Sequence, residues 1–326
     1  SNQDIEKGGH YLCPACGRTD ENQPLHGVLT VLYDYDLIKK KIDQKKMLRF
    51  TPGAHYLYPE LWPLDYVGPD SLTGISSSLL HRLSLPSNSI YTVRLNGNII
   101  SVLDETHNPT FSYKDRASIL VALKALQRGI SDISVASTGN AGSSMSGICA
   151  MTGLTAHVWV PEKIPREKLA QIIAYGAKAH VVAGSYDDAF DLNTYICKNR
   201  NWSNRNTAYN PLTIEGKKSA AYDIFISLQG KLPDQIFIPV GDGAIIGGLY
   251  KGFSELARFG WINSIPQLIA VQADGCNPVC RFIDTGHFAF SESQTISDSI
   301  DAAVPRNLFM AAQAVKESSG FCVSVS

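Results

Sequence analysis

The chain has 326 residues, of which 44% are hydrophobic and 18% are charged, and its formal net charge is −1. This length can bury a large core and favours two domains. The near-zero charge gives no basic surplus for nucleic acid or for an anionic membrane surface, so neither partner is expected. We find no apolar run of about eighteen residues and no secretory signal pattern, and therefore expect neither a membrane span nor export.

The N-terminal segment, residues 1–48, is polar and charged and contains one Cys-x-x-Cys, formed by Cys13 and Cys16. It resembles half of a zinc ribbon, but a structural zinc site needs four ligands. His10 and His26 are the available additions, and no second Cys-x-x-Cys follows. We therefore predict two thiols without zinc. The chain has seven cysteines in all, an odd and scattered set that favours reduced thiols and a cytoplasmic location.

The regular elements begin with a hairpin, in which two β-rich runs flank Asn96-Gly97-Asn98. Helices and strands then alternate, which implies βαβ crossovers and a parallel sheet. The predicted helices cover residues 117–126, a small-residue stretch ending near 151, 167–175, 186–198, 218–228 and 245–259. The predicted strands cover residues 133–136, 157–160, 179–183, 235–240 and 268–272. Residues 284–306 are predicted to form a polar loop.

Two turns between a strand and a helix are candidates for binding anions, because a helix N-terminus offers free N–H groups and partial positive charge. Gly241-Asp242-Gly243 lets the backbone approach a phosphate closely, and it matches neither a dinucleotide fingerprint nor a Walker A loop. A phosphate cup and a plain tight turn are equally compatible with it. The segment Ser137–Asn140 suits a carboxylate, although a helix cap explains it as well.

Lys114 lies between a proline turn and the start of a helix, and Asp115 and Arg116 follow it directly. A lysine alone is usually a surface cation. A lysine that is buried and fixed in place can instead form a Schiff base with an aldehyde. Together with a phosphate cup and a carboxylate loop, Lys114 points to pyridoxal 5′-phosphate (PLP) reacting with an amino acid.

Several motifs occur in an order that resembles threonine synthase, a fold-type II PLP enzyme related to the β subunit of tryptophan synthase. The similarity extends over residues 88–326. The motifs are Asn108-Pro-Thr-x-Ser-x-Lys114-Asp-Arg, Ala136-Ser-Thr-Gly-Asn140, Lys168-Leu-Ala-Gln171, Tyr175-Gly-Ala177, Asp187-Asp-Ala189, Asn210-Pro211, Ile214-Glu-Gly216 and Pro239-Val-Gly-x-Gly243.

The resemblance implies a role for each segment and an α/β architecture. Lys114 would hold PLP and move protons, Asn140 would bond the cofactor ring oxygen, and the cup Gly241, Asp242, Gly243, Ala244 and Ile245 would bind its phosphate. The substrate would contact Ser137, Thr138, Gly139, Ala141 and Thr213. Two open parallel-sheet domains would enclose the cofactor, a large one from residues 49–116 and 203–326 and a small one from 117–202. The resemblance also implies a homodimer.

The chain departs from the family where the phosphate of O-phosphohomoserine should be held. Ala141 replaces a Thr, Thr207-Ala208 replaces Asn-Ser, and Thr213 replaces an Arg. A Thr cannot reproduce the bidentate, charge-assisted contact of Arg with phosphate. The cup also carries Asp242, whose carboxylate must pair elsewhere if a phosphate binds beside it.

The expected function is that of a PLP-dependent lyase of threonine synthase type, which eliminates a leaving group from an amino acid and adds water. One alternative is a β-replacement enzyme similar to cysteate synthase or cysteine synthase. The other is a paralogue that binds PLP without turnover. The sequence does not identify the substrate.

Overall fold

The structure is a computed structural model that describes residues 11–18, 20, 22–54, 59–68, 71–87 and 89–326. Its helices are α1 (Tyr35–Lys41), α2 (Gln44–Met47), α3 (Ser77–Arg82), α4 (Asp115–Gln127), α5 (Asn140–Thr152), α6 (Arg166–Ala174), α7 (Tyr186–Arg200), α8 (Leu212–Ser227), α9 (Ala244–Phe259), α10 (Pro278–Thr285) and α11 (Leu308–Glu317). Its strands are β1 (Tyr66–Gly68), β2 (Ser71–Leu72), β3 (Ile90–Leu95), β4 (Asn98–Leu103), β5 (Asp132–Ala136), β6 (Thr155–Pro161), β7 (Lys178–Val182), β8 (Ser203–Asn204), β9 (Gln235–Pro239), β10 (Gln267–Ala273) and β11 (Cys322–Val325).

The predicted hairpin is formed by β3 and β4, which pair antiparallel with Leu95 opposite Asn98. The two loop residues, Asn96 and Gly97, both have positive φ, of 50° and 82°. That conformation suits the right-handed twist of the flanking strands, and Asn-Gly adopts it readily. The hairpin leads into the turn that carries Lys114.

The predicted alternation of strands and helices forms two parallel sheets. One has the order β7-β6-β5-β8 and the other the order β11-β10-β9. The fold class is therefore confirmed as α/β with parallel sheets. The domain boundaries stay predictions, and β8 continues the first sheet to Asn204, two residues beyond the predicted boundary.

Helix α8 lies between α4 and α9, and glycines make both contacts close. A Cβ on Gly216 of α8 would lie 2.3 Å from Arg116 O in α4. A Cβ on Gly252 of α9 would lie 2.6 Å from Lys218 O in α8. Any larger residue would force these helices apart. This close packing fixes the start of α8 beside the start of α4, next to Lys114.

The predicted loop over residues 284–306 is largely irregular, with one 3-10 turn at Asp298–Ile300. Three elements that the sequence did not predict flank it: α10 before it, and α11 and β11 after it. Two further unpredicted helices, α1 and α2, lie in the N-terminal segment, where Ile38, Ile42 and Met47 are buried. The segment therefore packs on the core despite its many lysines.

The Cys-x-x-Cys of the N-terminal segment forms a tight turn. Gly17 N donates to Cys13 O at 2.8 Å, and Cys13 N donates to Gly27 O at 2.8 Å. Among the described residues, no group of three or more His, Cys, Asp or Glu side chains is placed to hold a metal. The proposed additional ligand His10 lies outside those residues. In the same part of the chain, no helix has the length and apolar character needed to cross a membrane.

Candidate active site

A cavity of about 550 Å³ opens at the carboxyl ends of β5, β6 and β9, where Ala136, Pro161 and Pro239 line it. This is the edge at which open parallel sheets bind ligands. All but one of the predicted site residues line it. They are Lys114, Ser137, Thr138, Gly139, Asn140, Ala141, Gly241, Asp242, Gly243, Ala244 and Ile245. The structure thus brings together segments that are about 130 residues apart in the chain.

Lys114 occupies the N-cap position of α4 and is half-buried. Its pKa is lowered to about 8, chiefly by burial and next by the positive charge of Arg205, while Asp242 acts in the opposite direction. At neutral pH a sizeable fraction of this amine is therefore unprotonated. An unprotonated amine is the form that reacts with an aldehyde or accepts a proton.

The two residues after Lys114 fix the helix start. Asp115 accepts hydrogen bonds from Thr110 N at 2.7 Å and from the Ser144 hydroxyl at 2.6 Å. Arg116 forms ion pairs with Glu105 and Asp223, each at 2.6 Å. Because these contacts are buried, they hold the backbone of Lys114 in one position.

The carboxylate loop follows β5 and begins α5. Ser137 Oγ accepts from Gly139 N at 3.2 Å, and Asn140 Nδ2 donates to Ser299 Oγ at 3.2 Å. In the first turn of α5, Gly142 N donates to Gly139 O at 3.0 Å, whereas the N–H groups of Asn140 and Ala141 precede the first helical hydrogen bond, and the helix dipole favours an anion there. Ala141 presents only a methyl group to the cavity, so the departure noted in the sequence lies on the cavity wall.

The phosphate cup follows β9 and begins α9. Gly243 has φ of +85°, and a Cβ on it would lie 2.8 Å from Asn307 O. A Cβ on Gly241 would lie 2.8 Å from Ile300 Cα. Both positions therefore require glycine. The first-turn N–H groups of α9, including those of Ala244 and Ile245, are available to a phosphate.

Asp242 pairs elsewhere, as a phosphate beside it requires. Its Oδ1 accepts from Arg306 N at 2.9 Å, and its carbonyl oxygen accepts from Asn307 N at 2.9 Å. Burial raises the pKa of its carboxyl group, and the bond from Arg306 N partly offsets that rise. The carboxylate thus fastens the cup to the start of α11.

Segment 298–306 lies over the cavity and was predicted only as a loop. Lys168 of α6 pairs with Asp298 at 2.5 Å, and Arg306 pairs with Asp187 of α7. Together with the Asn140–Ser299 hydrogen bond, these contacts connect the segment to the helices around the first sheet. The segment therefore contributes one side of the binding space.

Thr213 is the predicted site residue that does not line the cavity. It is fully buried, and its hydroxyl donates to Asn210 O at 2.8 Å. The wall at this part of the chain is formed instead by Thr207 and Lys217. Behind it lies the buried Arg205, which donates to the Thr207 hydroxyl at 2.7 Å. Sequence reasoning missed Lys217 and Arg205, because a lysine or arginine is normally exposed and nothing local indicates burial.

The residues fit PLP. The cofactor needs an amine for its aldehyde and an anion site for its phosphate within one enclosed space. Lys114 and the start of α9 supply these on the walls of the same cavity. Asn140 also lines that cavity. The first turn of α5 adds further N–H groups to the wall of the same cavity.

Comparisons with known proteins agree with this geometry. The family model described as "Pyridoxal-phosphate dependent enzyme" matches residues 84–326. The threonine synthase of Methanocaldococcus jannaschii is 30% identical over 324 residues, covering 96% of this chain and 78% of its own. That of Methanosarcina acetivorans is 31% identical over 330 residues, covering 99% and 77%.

Among solved structures, maize serine racemase superposes with a TM-score of 0.63 at 14% identity, covering 90% of this chain and 77% of its own. That likeness concerns the fold alone. The family match, the archaeal relatives and the cavity lead to one conclusion: this chain belongs to the fold-type II pyridoxal-phosphate dependent enzymes, with threonine synthases among its relatives.

Proposed function

We propose that this protein is a PLP-dependent lyase that removes a leaving group from an amino-acid substrate and adds water, as threonine synthases do. The observation that supports it most strongly is the single cavity shared by Lys114, the first turn of α5 and the first turn of α9. The archaeal relatives named above add the reaction type. A homodimer and a cytoplasmic location stay predictions.

The cofactor, when bound, supplies an electron sink that stabilises negative charge at the substrate carbon. Lys114 would hold it covalently through Nζ and then accept and return protons, a task that suits an amine with a pKa of about 8. The loop 137–141 would orient the substrate through its α-carboxylate. Asn140 would fix the ring from the side of segment 298–306.

The alternative of β-replacement is favoured by the altered residues at 141, 207, 208 and 213. O-Phosphohomoserine would meet Ala141 and Thr207 instead of the expected phosphate ligands. A β-replacement enzyme needs one proton abstraction and an external nucleophile, whereas γ-elimination requires the base to act at two carbons. A paralogue that binds PLP without turnover is the remaining alternative.

One experiment separates these possibilities. The purified protein is loaded with PLP and mixed with O-phosphohomoserine, O-phosphoserine or O-acetylserine, each with and without sulfite or sulfide. Threonine and phosphate released from the first would support the lyase. Cysteate or cysteine would instead identify β-replacement, and no product from any mixture would identify a binding paralogue. Lys114→Ala should abolish the visible absorbance of covalently bound cofactor, and an unchanged spectrum would contradict the role of Lys114.

A further inference from the structure

Two basic side chains at the cavity, Lys217 and Arg205, have no part in the roles assigned so far. Both are fully buried. Lys217 lines the cavity, and its Nζ donates one hydrogen bond, to Thr213 O at 3.3 Å. Arg205 donates to Ser118 Oγ, Thr207 Oγ1 and Lys114 O, at 3.2, 2.7 and 3.4 Å. Every acceptor is neutral.

Neither cation has a carboxylate within ion-pair distance in the part of the chain that the structure describes. Arg116 shows the usual arrangement for a buried arginine, since Glu105 and Asp223 both contact it at 2.6 Å. A buried charge without a partner is strongly unfavourable even after the protein relaxes around it. Arg205 and Lys217 therefore lack a carboxylate partner among the described residues. Lys217 lines the cavity, and Arg205 lies behind its wall.

Thr207 completes a set of donors on this wall. Its hydroxyl oxygen accepts from Arg205, so its own proton is available to a group in the cavity that it lines. An anion in the cavity favours the protonated form of Lys217, which has two further N–H donors, since an ammonium carries three and one is used. The wall thus offers a hydroxyl and an ammonium, with a guanidinium behind them.

The other charges of the cavity do not supply the missing anion. Asp242 faces the same space, but its Oδ1 is held by Arg306 N at 2.9 Å. Its carboxylate acts on Lys114 and Lys217, and Asp115 acts on Arg205 from beyond ion-pair distance. The cofactor phosphate has its own site at the first turn of α9, and the substrate α-carboxylate has its own at the first turn of α5.

We propose that Lys217 and Thr207, backed by Arg205, form a subsite for an acidic group on the side chain of the amino-acid substrate. The proposal rests on the proposed function, because it assumes an amino acid in the cavity. The family's phosphate ligands are missing at residues 141, 208 and 213, and the positive charge lies instead at residues 205 and 217. The recognised group is a carboxylate, a sulfonate or a phosphate.

The test measures binding rather than turnover. The PLP-loaded protein is titrated with amino acids while the visible absorbance of the cofactor is followed. The acidic set is L-aspartate, L-glutamate, L-cysteate and O-phospho-L-homoserine, and the neutral set is L-2-aminobutyrate and L-homoserine. A charge-assisted contact predicts that at least one acidic amino acid binds about tenfold or more tightly than the neutral set.

Three variants assign that preference to this wall. Lys217→Met should remove the preference for acidic amino acids, because a tenfold change corresponds to about one charge-assisted contact. Its affinities for L-2-aminobutyrate and for PLP should stay within about twofold of the wild type, because neither ligand uses this contact. Thr207→Val should reduce the preference by roughly tenfold or more, because a hydroxyl that donates to an anion forms a charge-assisted hydrogen bond. Lys198→Met removes an exposed charge on α7, away from the cavity, and should change nothing.

The contrary results are distinct. Equal affinity for neutral and acidic amino acids would overturn the subsite and leave the proposed function standing. A weaker affinity of Lys217→Met for PLP, with the preference intact, would assign the cation to the cofactor phosphate and also overturn it. A PLP-loaded protein that responds to no amino acid would overturn the proposed function and the subsite together.

Discussion

Helix α8 carries two neighbouring lysines that differ in the charges around them. Both are fully buried. Lys218 Nζ lies 2.8 Å from a Glu215 oxygen and 3.0 Å from a Glu255 oxygen, and Lys251 contacts the same two carboxylates at 3.2 Å. Lys217 lines the cavity and has only a backbone carbonyl. Neighbouring positions of one helix thus hold a lysine in a charge-balanced cluster and a basic side chain that has no carboxylate partner among the described residues.

The difference teaches how the protein uses buried charge. Around Lys218, two cations meet two carboxylates, and Tyr33 donates to Glu215 at 2.5 Å, so the cluster is satisfied without any ligand. In the described part of the chain, Lys217 and Arg205 donate only to neutral acceptors. A charge-balanced cluster holds helices together, whereas buried basic side chains without a carboxylate partner favour the binding of an anion. The predictions below test whether the two sides of α8 differ in this way.

The largest expected effect is on the satisfied side. Lys218→Met leaves Glu215 and Glu255 with Lys251 as their only cation, and breaking a buried pair costs about 3–5 kcal/mol. The matched variant Lys217→Met removes a buried amine that has no carboxylate partner among the described residues, so it should lower the free energy of unfolding by less than about 1 kcal/mol or raise it. Urea unfolding of both proteins without cofactor measures the difference. Equal losses would mean that Lys217 is as well paired as Lys218.

The second prediction concerns alkaline pH. The pKa of Lys217 lies well below its ordinary value, chiefly because of burial and next because of Arg205 and Lys114, while Asp242 acts the other way. The folded protein keeps this amine neutral at pH values where the unfolded chain protonates it. The unfolded state then binds more protons, so the wild type should gain stability relative to Lys217→Met as pH rises toward about 10.4, by up to about 1.4 kcal/mol per pH unit.

The contribution of Lys251 to stability, in the charge-balanced cluster around Lys218, should respond to rising pH in the opposite sense. The pKa of Lys251 is raised by Glu215 and Glu255, which outweigh the effect of burial. Its stabilising contribution is complete below the ordinary lysine pKa and is lost as pH rises through the raised value. Unfolding free energies of wild type, Lys217→Met and Lys251→Met between pH 7 and about 11 would show the contrast. Relative to Lys217→Met, the wild type gains stability up to about pH 10.4, whereas relative to Lys251→Met its advantage stays constant up to about pH 10.4 and falls above it. A flat difference between wild type and Lys217→Met would indicate an ordinary, protonated amine.

The sequence predicted much of this site because its signals are local. The turn before Lys114, the small residues after β5 and the glycines after β9 each act through backbone conformation, and Gly243 has the positive φ that only such residues adopt readily. Hydrophobic periodicity placed the strands and helices between them within a few residues. Each of the two turns follows a strand of a parallel sheet at its carboxyl end, where ligands bind, but their meeting at one cavity depends on how the two sheets pack.

The charged wall could not be predicted because it depends on tertiary packing. The helix at α8 was predicted from residue 218, whereas it begins at Leu212, and Lys217 fell outside it. Gly216 lowers the helix signal, yet it is needed where α8 meets Arg116 O of α4. In α1, the apolar spacing of Tyr35, Ile38 and Ile42 was hidden among lysines. The residues next to a lysine or arginine in the sequence do not show whether its side chain is buried.

The third prediction concerns the rate at which Lys114 captures the cofactor. Its pKa of about 8 leaves roughly a tenth of the amine neutral at pH 7, against less than about a thousandth for a lysine of ordinary pKa. The rate at which visible absorbance appears after PLP is added should rise about tenfold from pH 6 to pH 7 and level off above about pH 8. Lys114→Ala is the blank. A rate that keeps rising beyond pH 9 would mean that Lys114 is not desolvated.

The smallest effect is expected at the exposed ion pair that ties segment 298–306 to α6. The side chains of Lys168 and Asp298 are 30% and 64% exposed, so water and salt weaken their attraction, and a double-mutant cycle should give a coupling of about 0.2–1 kcal/mol that falls at high salt. Such a pair can hold segment 298–306 over the cavity and still break at low cost. A coupling above about 2 kcal/mol would exceed the range of an exposed ion pair, and the segment would then be a fixed wall of the cavity.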